Sequence, residues 1–248
     1  ISVMLYETID SLNIKPDGIY VDGTAGGAGH SSEIAKRLKN GKLIALDRDP
    51  DAVAVATDRL KGLPATVIQS NFEDMDIALK SVGIDKVDGI LLDLGVSSYQ
   101  LDNGDRGFSY HKDAPLDLRM SKSGVTAAEL VNTLSREELT EIFRDYGEER
   151  LAYKIAGEIV KKREVKPIET TLELADIIAS AVPAAARRDG HPARKCFQAL
   201  RIAVNGELDN LKGVLDKAFD MLNPDGVFSI ITFHSLEDRI VKLKFKEY

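Results

Sequence analysis

Acidic side chains follow three apolar runs, and a glycine-rich turn follows the first run. The acids are Asp22, Asp47 and Asp93, and the turn contains Gly23, Gly26, Gly27 and Gly29. Glycines let a backbone approach a ligand closely and adopt a positive φ at little steric cost. Neither the G-x-G-x-x-G dinucleotide fingerprint nor the Gly-Lys-Ser/Thr of a P-loop fits these residues, so a pyrophosphate ligand is not expected.

The positions of the first two acids indicate a different ligand. A carboxylate at the end of the second run, Asp47, suits a ribose diol, whose two hydroxyls are hydrogen-bond donors. A carboxylate at the end of the first run, Asp22, suits a cationic or amino-acid group. S-adenosylmethionine has both parts, so we predict it as the cofactor, with Asp22 and Gly26 among its contacts. The simpler alternative is a generic turn with Asp47 as a solvated strand end.

Asp93 is the candidate catalytic residue. The exocyclic amine of a nucleobase is a poor nucleophile because its lone pair is delocalised into the ring. A carboxylate that accepts an amine hydrogen would favour the reactive, pyramidal form and orient it towards an electrophilic methyl group. The alternative is that Asp93 only caps a helix or contacts the cofactor.

A parallel sheet is needed to bring these acids together. Five apolar runs predict strands at 19–21, 43–46, 65–68, 87–93 and 227–233, and helical patterns separate them. This alternation predicts a doubly wound α/β fold that binds ligands at the carboxyl ends of its strands. Phe72 follows the third strand, where it would pack on a purine or close the core.

The strand pattern disappears between about Val125 and Ala203, where helical spacing takes over. Capping boxes are predicted at Thr126–Glu129, Ser135–Glu138 and Thr170–Glu173. The apolar stripe that follows describes one long helix or two pieces broken near Gly206. We therefore predict a discontinuous α/β domain, residues 1–104 and 204–248, interrupted by a helical substrate-recognition domain, residues 105–203.

Charge, size and cysteine content limit the function classes. The chain has 248 residues, a formal net charge of −7 and one cysteine. The acidic balance argues against indiscriminate nucleic-acid binding, and a single cysteine fits a reducing cytoplasm. No apolar run approaches membrane-spanning length, and the histidines show no metal-ligand spacing. A hydrolase triad does not fit His234 and Ser235 with Asp238, and Ser235–Asp238 is more simply a helix N-cap.

Two segments nevertheless suit RNA. Basic groups concentrate at Arg187, Arg188, His191, Arg194, Lys195 and Arg201. Arg106, Phe108 and Arg119 mix arginines with an aromatic residue in a loop, as a splayed-out base and its phosphates require. The alternatives are a solvated surface helix for the first segment and a packed lid for the second.

The sequence resembles the MraW/RsmH family, the ribosomal RNA small subunit methyltransferase H group, over essentially its whole length. The matching segments are 20–31, 46–50, 89–98, 106–109, 115–120, 146–150, 197–202 and 233–242. The resemblance implies a class I, Rossmann-like S-adenosylmethionine-dependent methyltransferase domain with an inserted all-helical domain. It also implies methylation of the exocyclic N4 of a cytidine in the decoding region of 16S rRNA.

Carried over position by position, the resemblance implies cofactor contacts at Ala28, Gly29, His30, Asp47, Phe72, Asp93 and Gln100. Ala28 stands where many relatives have glycine, and its methyl group is expected to be tolerated if φ is negative. Asp93 lacks the Pro-Pro-aromatic sequence that follows the acid of DNA amino-methyltransferases. The base-stacking aromatic is therefore expected elsewhere, with Phe108, Tyr110 and Phe233 as candidates. The family continues beyond Tyr248 with residues expected to complete the sheet.

The resemblance implies 16S rRNA within the small ribosomal subunit as the partner and the cytoplasm as the location. The sequence leaves open whether the protein also forms a homodimer. The residues predicted to contact RNA are Arg106, Phe108, Arg119, Arg194, Lys195, Arg201 and His234. A small-molecule methyltransferase and a non-catalytic S-adenosylmethionine-binding ribosome-assembly factor are the alternatives. The insertion and its basic stretch favour RNA over a metabolite, and Asp93 favours catalysis over binding alone.

Overall fold

The computed structural model describes residues 2–97, 100, 104–183 and 190–248. Two compact units divide the chain, Ile1–Tyr99 with Leu208–Tyr248 and Gln100–Glu207. The second unit begins after residue 99, five residues before the predicted limit at 104. It ends at residue 207, four residues after the predicted limit at 203. Arg187 and Arg188 of the basic stretch, and Ser98 of a family motif, lie outside the described residues.

The first unit is built on a parallel five-stranded sheet. Its strands are β1 (Ile19–Asp22), β2 (Lys42–Asp47), β3 (Ala65–Gln69), β4 (Val87–Asp93) and β5 (Leu222–Ile231). They lie in the order β3-β2-β1-β4-β5, and all neighbours run parallel. The predicted α/β class is confirmed, and the carboxyl ends of β1, β2 and β4 share one edge of the sheet.

Helices connect these strands and also form the second unit. In chain order they are α1 (Leu5–Ser11), α2 (Gly29–Arg37), α3 (Pro50–Arg59), α4 (Met75–Ser81), α5 (Ala127–Thr133), α6 (Arg136–Asp145), α7 (Ala152–Arg163), α8 (Thr171–Ala181), α9 (Ala193–Asn205), α10 (Glu207–Met221) and α11 (Ser235–Lys244). Of the helices in the described ranges, none has both the length and the apolar run that crossing a bilayer requires.

Both faces of the sheet are buried, which explains why its strands are nearly continuous apolar runs. Tyr20 and Leu43 pack on one face with α1, α2 and α3. Val21 and Ile44, one position later in each strand, pack on the other face with α4 and α10. The alternation of side chains along each strand therefore supplies two separate apolar cores.

The last strand of the sheet differs in extent from the predicted one. We predicted a strand at 227–233 after a turn at 223–226, whereas β5 extends from Leu222 to Ile231. Leu222 pairs with Val87, and the register shifts before Val227 pairs with Gly89. The irregularity contains Asp225, whose φ is 63°. The predicted turn is thus a local distortion inside the strand, and Phe233 lies beyond its end.

The second unit begins its helices where the sequence predicts. Thr126, Ser135 and Thr170 each form a complete capping box with the glutamate three residues later, at the start of α5, α6 and α8. The apolar stripe is two helices, because α9 ends at Gly206 in the left-handed region with a φ of 61°. Local hydrogen bonds therefore fix these helix ends without help from distant residues.

A buried asparagine holds a loop of this unit in place. The Asn205 side chain accepts a hydrogen bond from the Met120 backbone N–H at 2.9 Å and donates to the Leu118 carbonyl at 2.8 Å. Arg106 donates to the carbonyls of Arg119 and Met120, both at 2.7 Å. The backbone polar groups of this loop are paired in this way although the loop is not in regular secondary structure.

We expect Asn205→Ala to lower the free energy of unfolding by about 3 kcal/mol, because the Met120 N–H and Leu118 carbonyl would be left buried without partners. Urea denaturation measures the change. Asn40→Ala removes an exposed amide that bonds only Asp17 among the hydrogen bonds described for it, and should change stability by less than about 0.5 kcal/mol. A loss below about 1 kcal/mol in Asn205→Ala would show that other contacts hold the loop.

Candidate active site

The glycine-rich turn joins β1 to α2 and is fixed to the sheet by backbone hydrogen bonds. The Gly23 N–H donates to the Leu91 carbonyl, and the Ala25 N–H donates to the Leu46 carbonyl, both at 2.9 Å. A Cβ atom on Gly23 would lie 2.5 Å from Leu92 Cδ2. Only glycine therefore lets the turn lie this close to β4.

Ala28 does not have the negative φ under which its methyl group was expected to be tolerated. Its φ is 58°, in the left-handed region, rather than negative. A residue with a Cβ atom is strained there by about 1 to 2 kcal/mol. The methyl group is fully buried, and burial of a methyl group offsets part of this strain, about 0.8 kcal/mol.

Asp22 lies beneath the turn and is 1% exposed. Its Oδ2 accepts from the Ser31 hydroxyl at 2.6 Å, and its Oδ1 accepts from the Thr24 backbone N–H at 3.1 Å. Burial raises the pKa of this carboxyl, while the Ser31 and Thr24 hydrogen bonds oppose the increase. The structure gives Asp22 the task of holding the turn, and its direct contact with a ligand stays a prediction.

Asp47 connects the turn to β2. Its Oδ2 accepts from the Gly26 N–H at 2.7 Å, and its Oδ1 accepts from the Asp49 N–H at 2.8 Å. Burial raises its pKa to about 6, and the charges of Asp49 and Asp22 add to the increase. Each carboxylate oxygen can accept a second hydrogen bond, so the pair of acceptors that a ribose diol needs is present.

Asp93 ends β4 and contacts both the turn and α2. Its backbone N–H donates to Thr24 Oγ1 at 2.6 Å, and its Oδ2 lies 3.5 Å from His30 Nδ1. Its Oδ1 is buried and accepts no hydrogen bond from a described residue. Burial raises the pKa of Asp93 to about 6, the charge of Asp22 adds to this, and His30 opposes it. One acceptor oxygen is left for an N–H group of a bound molecule.

The structure thus brings together Asp22, Gly26, Ala28, Gly29, His30, Asp47 and Asp93 of the predicted cofactor contacts. Phe72 begins a short 3-10 turn after β3, is half-buried and packs against the core beside Gly23. Gln100 belongs to the other compact unit and is buried there.

Two arginines predicted to bind RNA are engaged within the second unit. Arg119 forms a two-bond pair with the Asp117 carboxylate, at 2.7 and 2.8 Å, and Arg106 bonds backbone carbonyls. Phe108 is buried, with 9% exposure. These side chains stabilise the loop within the second unit, and their contacts with RNA stay predictions.

The cations of the basic stretch differ in whether they already have partners within the second unit. Arg201 makes two hydrogen bonds to Glu207, at 2.8 and 3.0 Å, and both side chains are largely buried. Lys195 is exposed and donates to the Glu148 carbonyl at 3.1 Å. Arg194 is exposed, and no ion pair to it is found among the described residues. Arg194 and Lys195 are therefore better placed for phosphate than Arg201.

The predicted N-cap after β5 lies one residue earlier than expected. His234, not Ser235, caps α11, in a reciprocal capping box with Glu237. Its imidazole Nε2 lies 3.1 Å from Glu237 Oε1, and its side chain is 9% exposed. The buried Glu237 carboxylate also accepts from the Phe233 N–H at 2.8 Å. His234 is thus occupied in capping, which leaves its predicted RNA contact without an exposed polar group.

The three candidate stacking aromatics differ in exposure. The Tyr110 ring stacks on His191 with centroids 4.8 Å apart, and Phe108 is buried. Phe233 is 54% exposed, and a Cβ atom on Gly95 would lie 3.5 Å from its ring. Gly95 follows Asp93 by two residues, so the exposed Phe233 ring lies beside the loop that follows the predicted catalytic residue.

Sequence reasoning missed the residues that hold Asp22 and the glycine turn. Thr24 and Ser31 bond Asp22, and Arg59 donates to the Gly27 carbonyl from α3. The Asp22–Thr24 contact is an Asx turn, whose Asp-x-Thr spacing is a recognisable signal. Ser31 and Arg59 carry no such signal, because their contacts depend on how α2 and α3 pack.

The fold and the site together define a doubly wound α/β protein with a glycine turn and three acids at the carboxyl edge of its sheet. The sequence matches the MraW methylase family over residues 1–248. Ribosomal RNA small subunit methyltransferase H of Lachnospira eligens is 58% identical over 99% of this chain and 79% of its own length. The protein of the same name from Clostridium botulinum, strain Loch Maree, is 56% identical over 100% of this chain and 81% of its length. The chain therefore belongs to the MraW methylase family and is a methyltransferase.

The raised pKa of Asp47 predicts a pH dependence of stability. The folded protein binds this proton more tightly than the unfolded chain, so the stabilisation is present below the ordinary pKa of about 3.9 and is lost as pH rises through about 6. We therefore expect the stability of Asp47→Asn relative to wild type, measured as the free energy of unfolding, to be about 1 to 2 kcal/mol higher at pH 7 than at pH 4.

Urea denaturation at both pH values tests this expectation. Asp58→Asn, which removes an exposed carboxylate, is the control for the loss of one negative charge. A difference between wild type and Asp47→Asn that is the same at pH 4 and pH 7 would contradict the proton linkage.

Proposed function

We propose that this protein transfers a methyl group from S-adenosylmethionine to the exocyclic N4 of a cytidine in 16S rRNA, in the decoding region of the small ribosomal subunit. The observation that carries the proposal is the group of three acids around the glycine turn, the buried Asp22 and the half-buried Asp47 and Asp93, each with a raised pKa. Family membership and the names of the relatives support the reaction class and the RNA substrate.

The residues present fit S-adenosylmethionine. When bound, this cofactor supplies an electrophilic methyl group on a positively charged sulfur. The charge of Asp22 raises the pKa of both Asp47 and Asp93. The three carboxylates together produce a negative potential, which a cationic ligand relieves. Asp47 keeps two acceptor positions for a ribose diol, and Gly26, Ala28, Gly29 and Phe72 line the same edge of the sheet.

Asp93 is the proposed catalytic residue. Its Oδ1 accepts no hydrogen bond from a described residue, so it is available to an N–H of the acceptor amine. This hydrogen bond would hold the amine towards the methyl group and localise its lone pair on nitrogen. The exposed ring of Phe233 would stack on the base.

The second unit, residues 100–207, is the proposed RNA-recognition domain. Arg194 and Lys195 are exposed in the first turn of α9, where no acidic residue accompanies them. Two cations at the positive end of a helix are unfavourable unless an anion is bound, and an RNA phosphate provides that anion. The protein would act in the cytoplasm, where small subunits are assembled.

Transfer of a tritiated methyl group to purified small subunits, naked 16S rRNA and free cytidine tests this function. We expect labelling of one cytidine N4 in rRNA. Asp93→Asn should lower the single-turnover rate by about 100-fold or more while cofactor affinity, measured by calorimetry, changes much less. Asp85→Asn makes the same charge change at an exposed position before β4 and should leave the rate unchanged.

Each contrary result identifies an alternative. Labelling of a metabolite but not RNA would indicate a small-molecule methyltransferase, and binding without transfer would indicate an assembly factor. If cofactor affinity falls as far as the rate in Asp93→Asn, then Asp93 is a cofactor ligand only.

The arginines of α9 give a second test. We expect Arg194→Ala to reduce the slope of log affinity against log salt concentration for small subunits by about one unit. Arg201→Ala should leave that slope unchanged but lower thermal stability, because Glu207 loses its ion-pair partner. Lys61→Ala, an exposed cation of the α/β unit, is the control. Equal slopes for wild type and Arg194→Ala would favour a solvated surface helix.

A further inference from the structure

His30 and Asp93 lie side by side at the carboxyl edge of the sheet, and hydrogen-bond chemistry restricts their protonation. His30 Nε2 is 3.0 Å from the Val3 carbonyl oxygen, and Nδ1 is 3.5 Å from Asp93 Oδ2. A carbonyl oxygen only accepts, so Nε2 carries the proton of the neutral ring. Nδ1 then presents a lone pair to a carboxylate oxygen that also only accepts.

Two acceptors that face each other form a hydrogen bond only after they gain one proton. The proton can lie on Nδ1 beside an ionised Asp93, or on Oδ2 beside a neutral ring. The pair is shielded from water, since the side chains are 5% and 22% exposed. Asp22, at the end of β1, is a further acid, and its charge raises the pKa of Asp93. The segment before α1 contributes the Val3 carbonyl.

We propose that His30 is a positioning residue that acts through Asp93, and that the pair takes up the proton lost by the acceptor amine during methyl transfer. This inference rests on the proposed function. The amine nitrogen forms a bond to the methyl carbon, and the carbon–sulfur bond breaks with its electron pair on sulfur. The nitrogen then releases one proton to Asp93 Oδ1, and rotation of the carboxyl group about its Cβ–Cγ bond brings that proton to His30 Nδ1.

The charge balance of the site supports this assignment. Sulfur loses one positive charge during transfer, and the pair gains one positive charge when it binds the proton. The net charge at the buried edge of the sheet is therefore unchanged, which avoids leaving an additional unpaired charge in a poorly hydrated site. A ring that served only to hold the segment before α1 would need Nε2 alone, whereas here Nδ1 also faces the catalytic acid.

Carboxyl and ring titrations by NMR test the pair without any substrate. We expect the Asp93 carboxyl carbon and the His30 ring to report the same titration midpoints, because strongly interacting groups titrate as a unit. In His30→Gln, the Asp93 carboxyl should titrate in a single step. Independent midpoints for the two residues in the wild-type protein would overturn the inference, whatever the substrate is.

Two substitutions separate proton sharing from structural roles. The glutamine amide of His30→Gln can reach the Nε2 position and donate to the Val3 carbonyl, and the asparagine amide of His30→Asn can reach the Nδ1 position and donate to Asp93. Neither side chain titrates. We expect both variants to lose about 10-fold or more in single-turnover rate at saturating cofactor, with an altered pH profile.

Recovery of the wild-type rate and pH profile in His30→Asn would overturn the inference, because a fixed hydrogen-bond donor would then be sufficient. The same recovery in His30→Gln would reduce His30 to an anchor for Val3. Absence of methyl transfer to rRNA by the wild-type protein would overturn the proposed function instead, and the shared titration would still identify the pair.

Discussion

A carboxylate that is removed from water must be satisfied by hydrogen bonds, and the burial of Asp22 imposes this requirement on the whole site. Thr24 meets it from within the glycine turn, and Ser31 meets it from the first turn of α2. Thr24 also accepts the Asp93 N–H. One buried acid therefore fixes the shape of the turn, the start of α2 and the end of β4. These three parts surround the carboxyl edge of the sheet, where the candidate site lies.

The parallel sheet then brings acids together that would otherwise repel one another. Strand ends at one edge of a sheet are about 5 Å apart, and β1, β2 and β4 each end in an aspartate. Backbone N–H groups hold Asp47, whereas the Asp93 carboxylate lies beside the His30 ring. Asp47 is thus suited to binding and Asp93 to accepting a proton, although both are aspartates.

Much of this arrangement could be predicted from the sequence because it depends on local patterns. Apolar runs ending in acids located β1, β2 and β4, and Ser/Thr-x-x-Glu spacing located the starts of three helices. The distortion in β5 could not be predicted, because a turn-like sequence was overridden by pairing with β4. The same limit applies to Arg106, Arg119 and Arg201: composition indicates a basic surface, but only packing shows that their guanidinium groups already have partners.

The capping boxes at Thr126, Ser135 and Thr170 also bear on the order of folding during synthesis. Contacts between residues three positions apart form quickly, so the helical unit contains most of what it needs within its own continuous segment. The sheet does not, because Val87 must wait for Leu222 to be made before β4 and β5 can pair. During synthesis, we expect the inserted unit to become helical while the surrounding sheet still lacks its last strand.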